Sequence, residues 1–124
     1  MGNTLKHVLI IEDNSIIARM IAEYLADFGF ASADFAETQD DAIRLARQRV
    51  PDLVTADYRL REGFGVVAVR HICQEKAVPV VFVVADPKQV QRDVPNAIYL
   101  LKPFSGEALE RAVRAAEKLP LKFQ

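Results

Sequence analysis

The sequence predicts an α/β fold, a doubly wound sheet of five parallel strands with helices on both faces. Short apolar runs alternate five times with segments of helical periodicity. The linkers between them are only a few residues long, as parallel crossovers in one compact domain require. Lone charged residues end the first, third and fifth apolar runs, at the sheet rim where ligands of such folds sit.

His7-Val8-Leu9-Ile10-Ile11 has the pattern of a strand buried on both faces, and it stops at Glu12-Asp13-Asn14-Ser15. Ile16, Ile17, Met20, Ile21, Tyr24, Leu25 and Phe28 follow at helical spacing, closed by Gly29. Phe30 to Phe35 is a weaker, alternating strand suited to an edge. Thr38-Gln39-Asp40-Asp41 opens the next helix like a capping box, with Asp41 in place of the usual Glu. Ala42, Ile43, Leu45 and Ala46 form its stripe, and Pro51 stops it. Leu53 to Ala56 is a third strand ending at Asp57, then a loop rich in charge and glycine. A helix over Gly65 to Glu75 turns Val66, Val69, Ile72 and Cys73 inward. Val78 to Val84 reads as a central strand, Lys88 to Asp93 as a short helix after Asp86-Pro87. Ala97 to Leu101 is the last strand, ending at Lys102-Pro103-Phe104. Ser105 caps a final helix with Ala108, Leu109, Ala112, Val113 and Ala116 inward. The flavodoxin-like strand order 2-1-3-4-5 makes strands one and three neighbours at the switch point.

The 124 residues are 51% hydrophobic and 27% charged, which suits one domain with an ordinary core. A formal net charge of -1 argues against nucleic acid or a membrane surface as partner. The single cysteine, Cys73, cannot form an internal disulfide and reads as a buried structural thiol. No apolar run approaches the roughly 20 residues of a membrane span, and no signal peptide precedes the first strand. The expectation is a cytoplasmic single domain.

Glu12, Asp13 and Asp57 thus gather on one rim, with Lys102 beside them. Three crowded carboxylates repel one another, and a hard divalent cation such as Mg²⁺ would offset that repulsion. Lys102 is a point charge suited to a phosphoryl oxygen. The chemistry this favours is phosphoryl transfer onto a carboxylate, with Asp57 as nucleophile. An isolated Asp after a strand more often only caps a turn; the joint arrangement at three strand ends is what singles Asp57 out.

Glu12-Asp13, Asp57, Gly65 and Lys102-Pro103-Phe104 resemble the receiver domain of bacterial two-component response regulators, over about Lys6 to Leu119. The resemblance implies that Glu12, Asp13, Asp57 and the backbone carbonyl of Arg59 bind Mg²⁺. It implies that Asp57 accepts phosphate from a histidine kinase or phosphotransfer protein and that Lys102 contacts the phosphoryl group. It further implies a Lys102-Pro103 bond that is often cis, and Tyr99 as an aromatic switch residue.

Two departures matter. The family usually has Thr or Ser where Val84 stands, so the hydroxyl relay from phosphate to the aromatic switch is missing. Arg61 replaces a common proline, which reads as loop variation. Arg59 and Asp86, each two residues beyond a strand-end position, are expected to pair as a partial lid. No output domain is expected after the last helix, so the function expected is a stand-alone phosphoacceptor acting through an unidentified protein target, without enzymatic turnover of its own beyond Asp57. The alternatives are a pseudo-receiver adaptor that ignores phosphorylation and a fragment of a hybrid kinase. A phosphohydrolase would want a second Asp where Arg59 stands.

Overall fold

The structure, a computed structural model, describes residues 5–124. Residues 1–4, which the expected domain extent takes in, lie outside the described residues. Strands β1 (Lys6–Ile11), β2 (Phe30–Ala36), β3 (Leu53–Ala56), β4 (Val80–Val84) and β5 (Ile98–Leu101) form one parallel sheet in the order β2-β1-β3-β4-β5. Helices α1 (Ser15–Ala26), α2 (Gln39–Gln48), α3 (Gly65–Glu75), α4 (Lys88–Asp93) and α5 (Gly106–Lys118) alternate with them. This is the expected doubly wound, flavodoxin-like topology.

The alternation of side chains along each strand divides the core in two. Val8, Ile10, Leu53, Val81, Val83 and Leu100 pack against α1 and α5. Leu9, Ile11, Val54, Ala56, Phe82 and Val84 pack against α2, α3 and α4. Caps fall where the sequence puts them. Asn14 Oδ1 accepts from the Ile16 and Ile17 amides, and Ser105 Oγ accepts from Ala108 N. Thr38 Oγ1 accepts from Asp41 N, which is half of the expected capping box. The Asp41 carboxylate, one methylene shorter than Glu, meets Arg44 Nη2 at 3.2 Å instead.

Several details differ from expectation. Ile16 is 79% exposed, not inward. At 100° per residue it sits roughly opposite the buried stripe of Ala18, Ile21 and Leu25. β4 starts at Val80, not Val78, because Pro79 has no N–H for a ladder. Val78 pairs instead with Leu121, from a tail that the sequence left featureless. That tail docks: Phe123 N donates to Cys73 O and Lys122 Nζ to Gln74 O, at the end of α3. His7, in an otherwise apolar strand, is 2% exposed and satisfied by Ser32 Oγ at 2.8 Å and Asp34 Oδ2 at 2.9 Å.

Candidate phosphoacceptor site

Strand register assembles the site. Ile11 is paired with Ala56, so the next residues, Glu12 and Asp57, leave the sheet side by side. Asp57 N donates to Ile11 O at 3.0 Å, which fixes that adjacency. Val84 is paired with Leu101, and Lys102 N donates to Val84 O at 2.8 Å, which holds the root of the lysine at the same rim. The Lys102–Pro103 peptide is cis.

Lys102 Nζ donates to Asp57 Oδ2 at 2.8 Å and lies 3.0 Å from Glu12 Oε1. The second contact is close enough to pair charges but lacks hydrogen-bond alignment, so Glu12 Oε1 is buried without a hydrogen-bond donor among the described residues. Glu12 Oε2 accepts from Asn14 N, and Asp57 Oδ1 accepts from Tyr58 N at 2.7 Å. Burial raises the Glu12 pKa; the Lys102 ammonium works against this and the Asp57 charge adds to it. For Lys102 burial pulls downward, yet Asp57 and Glu12 together outweigh it and hold the pKa above its ordinary value. The lysine therefore stays charged between two carboxylates.

One oxygen each from Glu12, Asp13 and Asp57 lie within 4.8 Å of one another. An all-oxygen, anionic donor set that includes the buried Glu12 carboxylate fits a hard cation such as Mg²⁺. On the other side Gly65 admits the backbone: a Cβ there would stand 1.8 Å from Asp57 O. A surface cleft of about 660 Å³ between α2 and α3 is elsewhere and touches none of these groups.

The remaining expected residues are arranged differently. Arg59 and Asp86 do not form the expected lid pair. The Arg59 guanidinium stacks on the Phe64 ring, 5.4 Å from its centroid, and Asp86 Oδ1 accepts from Lys88 N at the start of α4. Each side chain has a local partner that a sequence offset of two residues cannot reveal. Val84 is 2% exposed and its side chain belongs to the apolar core. Tyr99 is 37% exposed and its hydroxyl accepts from Gln91 Nε2 at 2.9 Å. One contact escaped the sequence reading. The Tyr58 hydroxyl donates to Asp93 Oδ2 at 2.5 Å, and Arg92 contacts both groups. The only signal for it was a tyrosine directly after Asp57.

The chain matches known proteins over most of its length. The family model described as "Response regulator receiver domain" matches residues 8–114. The transcriptional regulatory protein PdtaR of Mycobacterium tuberculosis is 32% identical over 115 residues, covering 90% of this chain and 56% of that protein. The chain thus spans about half the length of the curated relatives it matches. The solution structure of the PhyR receiver domain from Erythrobacter litoralis superposes with a TM-score of 0.81 at 29% identity, covering 96% of this chain and 95% of that one. The receiver domain of a sensor histidine kinase from Pseudomonas aeruginosa, with a magnesium ion coordinated in its active site cleft, has a TM-score of 0.77 at 25% identity, covering 93% and 99%. With a family match across all five strands and a lysine bridging paired strand-end carboxylates, this chain belongs to the response regulator receiver domain family.

Proposed function

We propose that the chain is the phosphoacceptor of a two-component system, phosphorylated on Asp57 and acting through contact with another protein. The observation that carries this reading is the Asp57 carboxylate, half-buried beside Glu12 and Asp13 with Lys102 Nζ at 2.8 Å. A carboxylate meant only for a salt bridge would not be given two further acidic neighbours.

The donor is a phosphohistidine on a kinase or phosphotransfer protein. An Asp57 carboxylate oxygen bonds to phosphorus as the P–N bond breaks, and the imidazole leaves with the bonding pair and takes up a proton. Lys102 has three N–H donors, so it can follow the charge from Asp57 Oδ2 onto the phosphoryl oxygens while still paired with Glu12. Tyr58 N orients the nucleophile by holding Oδ1. Glu12, Asp13, Asp57 and the Arg59 carbonyl would hold Mg²⁺; the similar Pseudomonas aeruginosa receiver domain has a magnesium ion in its active site cleft. The ion supplies positive charge that offsets carboxylate repulsion and the charge on the transferring group. Beside Lys102, Ile17, Met20, Pro103 and Phe104 line an apolar hollow of about 320 Å³, and the exposed Ile16 lies on the same helix α1. This supports a protein donor docking over the site.

Intact mass after incubation with Mg²⁺ and a small phosphodonor tests the reading. A Mg²⁺-dependent phosphate adduct is expected on the wild type and not on Asp57→Asn. A wild type that stays unmodified with every donor, kinases included, sinks it. That outcome favours the second reading, an adaptor indifferent to phosphate, to which the buried, donorless Val84 lends support.

A further inference from the structure

Helix α4 has six residues, and only Val90 among them is buried. With Val94 just beyond it, 3% exposed, that is a thin apolar anchor for a whole element. Three hydrogen bonds between side chains tie α4 to the rest of the molecule, one of them from Arg92 Nη2 to the Tyr58 hydroxyl at 3.4 Å. At its C-terminal end Asp93 Oδ2 accepts from the Tyr58 hydroxyl at 2.5 Å; in its middle Gln91 Nε2 donates to the Tyr99 hydroxyl at 2.9 Å. Tyr58 follows Asp57 directly, and its own amide donates to Asp57 Oδ1. The Tyr58 ring is further fixed edge-on against Phe64, at 5.9 Å and 73°. Arg92 Nε donates to Asp93 Oδ1 at 3.0 Å, which keeps the carboxylate ionised and aimed.

We infer that the Tyr58–Asp93 hydrogen bond is a tether through which the state of Asp57 controls α4, in place of the relay that Val84 cannot provide. This rests on the phosphoacceptor reading of Asp57. The path runs from Asp57 through the Tyr58 backbone and ring to Asp93, along α4 to Gln91, and out to Tyr99. Val84, which carries no hydroxyl, is not a link in this path, although Tyr58 and Val90 belong to the same side of the core. Phosphorylation converts the anionic Asp57 acceptor into an acyl phosphate, and its remaining carbonyl is a weaker partner for Tyr58 N. A small shift of the Tyr58 backbone then moves a hydroxyl that ends on a helix with little else to hold it. Loosely packed elements respond to such a loss first.

The test is amide hydrogen exchange of α4, whose protected amides include Gln91 N, bonded to Pro87 O, and Val94 N, bonded to Val90 O. Wild type, Tyr58→Phe and Asp93→Ala are measured with and without Mg²⁺ and phosphodonor, and intact mass is read on each sample. Losing one charge-assisted hydrogen bond is expected to speed α4 exchange roughly ten- to a hundredfold in both variants without donor. In the wild type the donor is expected to produce a similar acceleration. Asp93→Ala, which leaves Asp57 and its neighbours in place, is expected to take phosphate as the wild type does yet show no further change in α4. If the wild type is phosphorylated and α4 exchange is the same in all three proteins, the tether is wrong while the phosphoacceptor reading stands. If the mass shows no adduct on the wild type, both fall.

Discussion

Gly65 shows how tightly single residues define the site. Its amide donates to Tyr58 O at 2.8 Å, and the space for a Cβ is filled by the Asp57 carbonyl. Both atoms are backbone, so neither can swing aside. Gly65→Ala must push α3 away from the end of β3 and is expected to cost roughly 2–4 kcal/mol. A urea titration reads that cost directly; a midpoint equal to the wild type would show that the loop absorbs the methyl. Thr55 illustrates the opposite case. It is 1% exposed, and its hydroxyl has no partner among the described residues, in a strand that otherwise behaves as an apolar run. At this scale the acidic residues and Lys102 were legible because charge recurs at the ends of three buried strands, where a single such residue would read only as a cap. Tyr58, Arg59 and Asp86 were not. Their partners, Asp93, Phe64 and the Lys88 amide, are chosen by how loops fold over one another.

Elements were legible wherever pattern and punctuation agree. The helix α3 buries Val66, Val69, Ile72 and Cys73, the face its spacing predicts. Burial pushes the Cys73 thiol up to about 11, from an ordinary 9.0. The folded state therefore holds this proton more tightly than the unfolded state does. Stability is unaffected below about pH 9 and falls as pH rises from there to about 11, where the unfolded chain alone ionises. A shift of that size corresponds to a loss on the order of 3 kcal/mol. Comparing denaturation midpoints of wild type and Cys73→Ala at pH 8 and pH 10.5 isolates this contribution, because only the wild type should carry it. Native Cys73 is likewise expected to resist alkylation at pH 8 until the chain is unfolded. The ends of elements were less legible. β4 loses its first two expected residues to Pro79, and α1 turns Ile16 outward because a hydrophobic residue in a first turn need not face the sheet.

Across the whole molecule, the tail after α5 joins the two faces of the sheet. α5 packs with α1 on one side, whereas Leu121 joins the core on the α2–α3 side and pairs with Val78. Arg70 covers Phe123, 5.4 Å from its ring centroid, and Lys122 serves a terminal carbonyl of α3. Leu121→Ala is expected to destabilise the fold by about 2 kcal/mol, at the low end for a leucine because the site is close to the surface. Guanidinium unfolding measures it, and a change under about 0.5 kcal/mol would mean the tail rides on the surface without holding it. Among the described residues no helix is long and apolar enough to cross a membrane.

By itself the sequence determined the alternation of elements, most of the residues facing the core and the strand ends that carry Glu12, Asp13, Asp57 and Lys102. Those follow from periodicity, from the short crossovers of a parallel sheet and from charge at strand ends, all of which are local in the chain or nearly so. Only the tertiary structure decided that Lys102 bridges Glu12 and Asp57, that Arg59 and Asp86 part company, that the tail is docked, and that Tyr58 reaches Asp93 across 35 residues of sequence. Each of these depends on where two loops meet in space. No periodicity encodes that, because side chains at loop tips find partners by distance and direction after the sheet has set the frame.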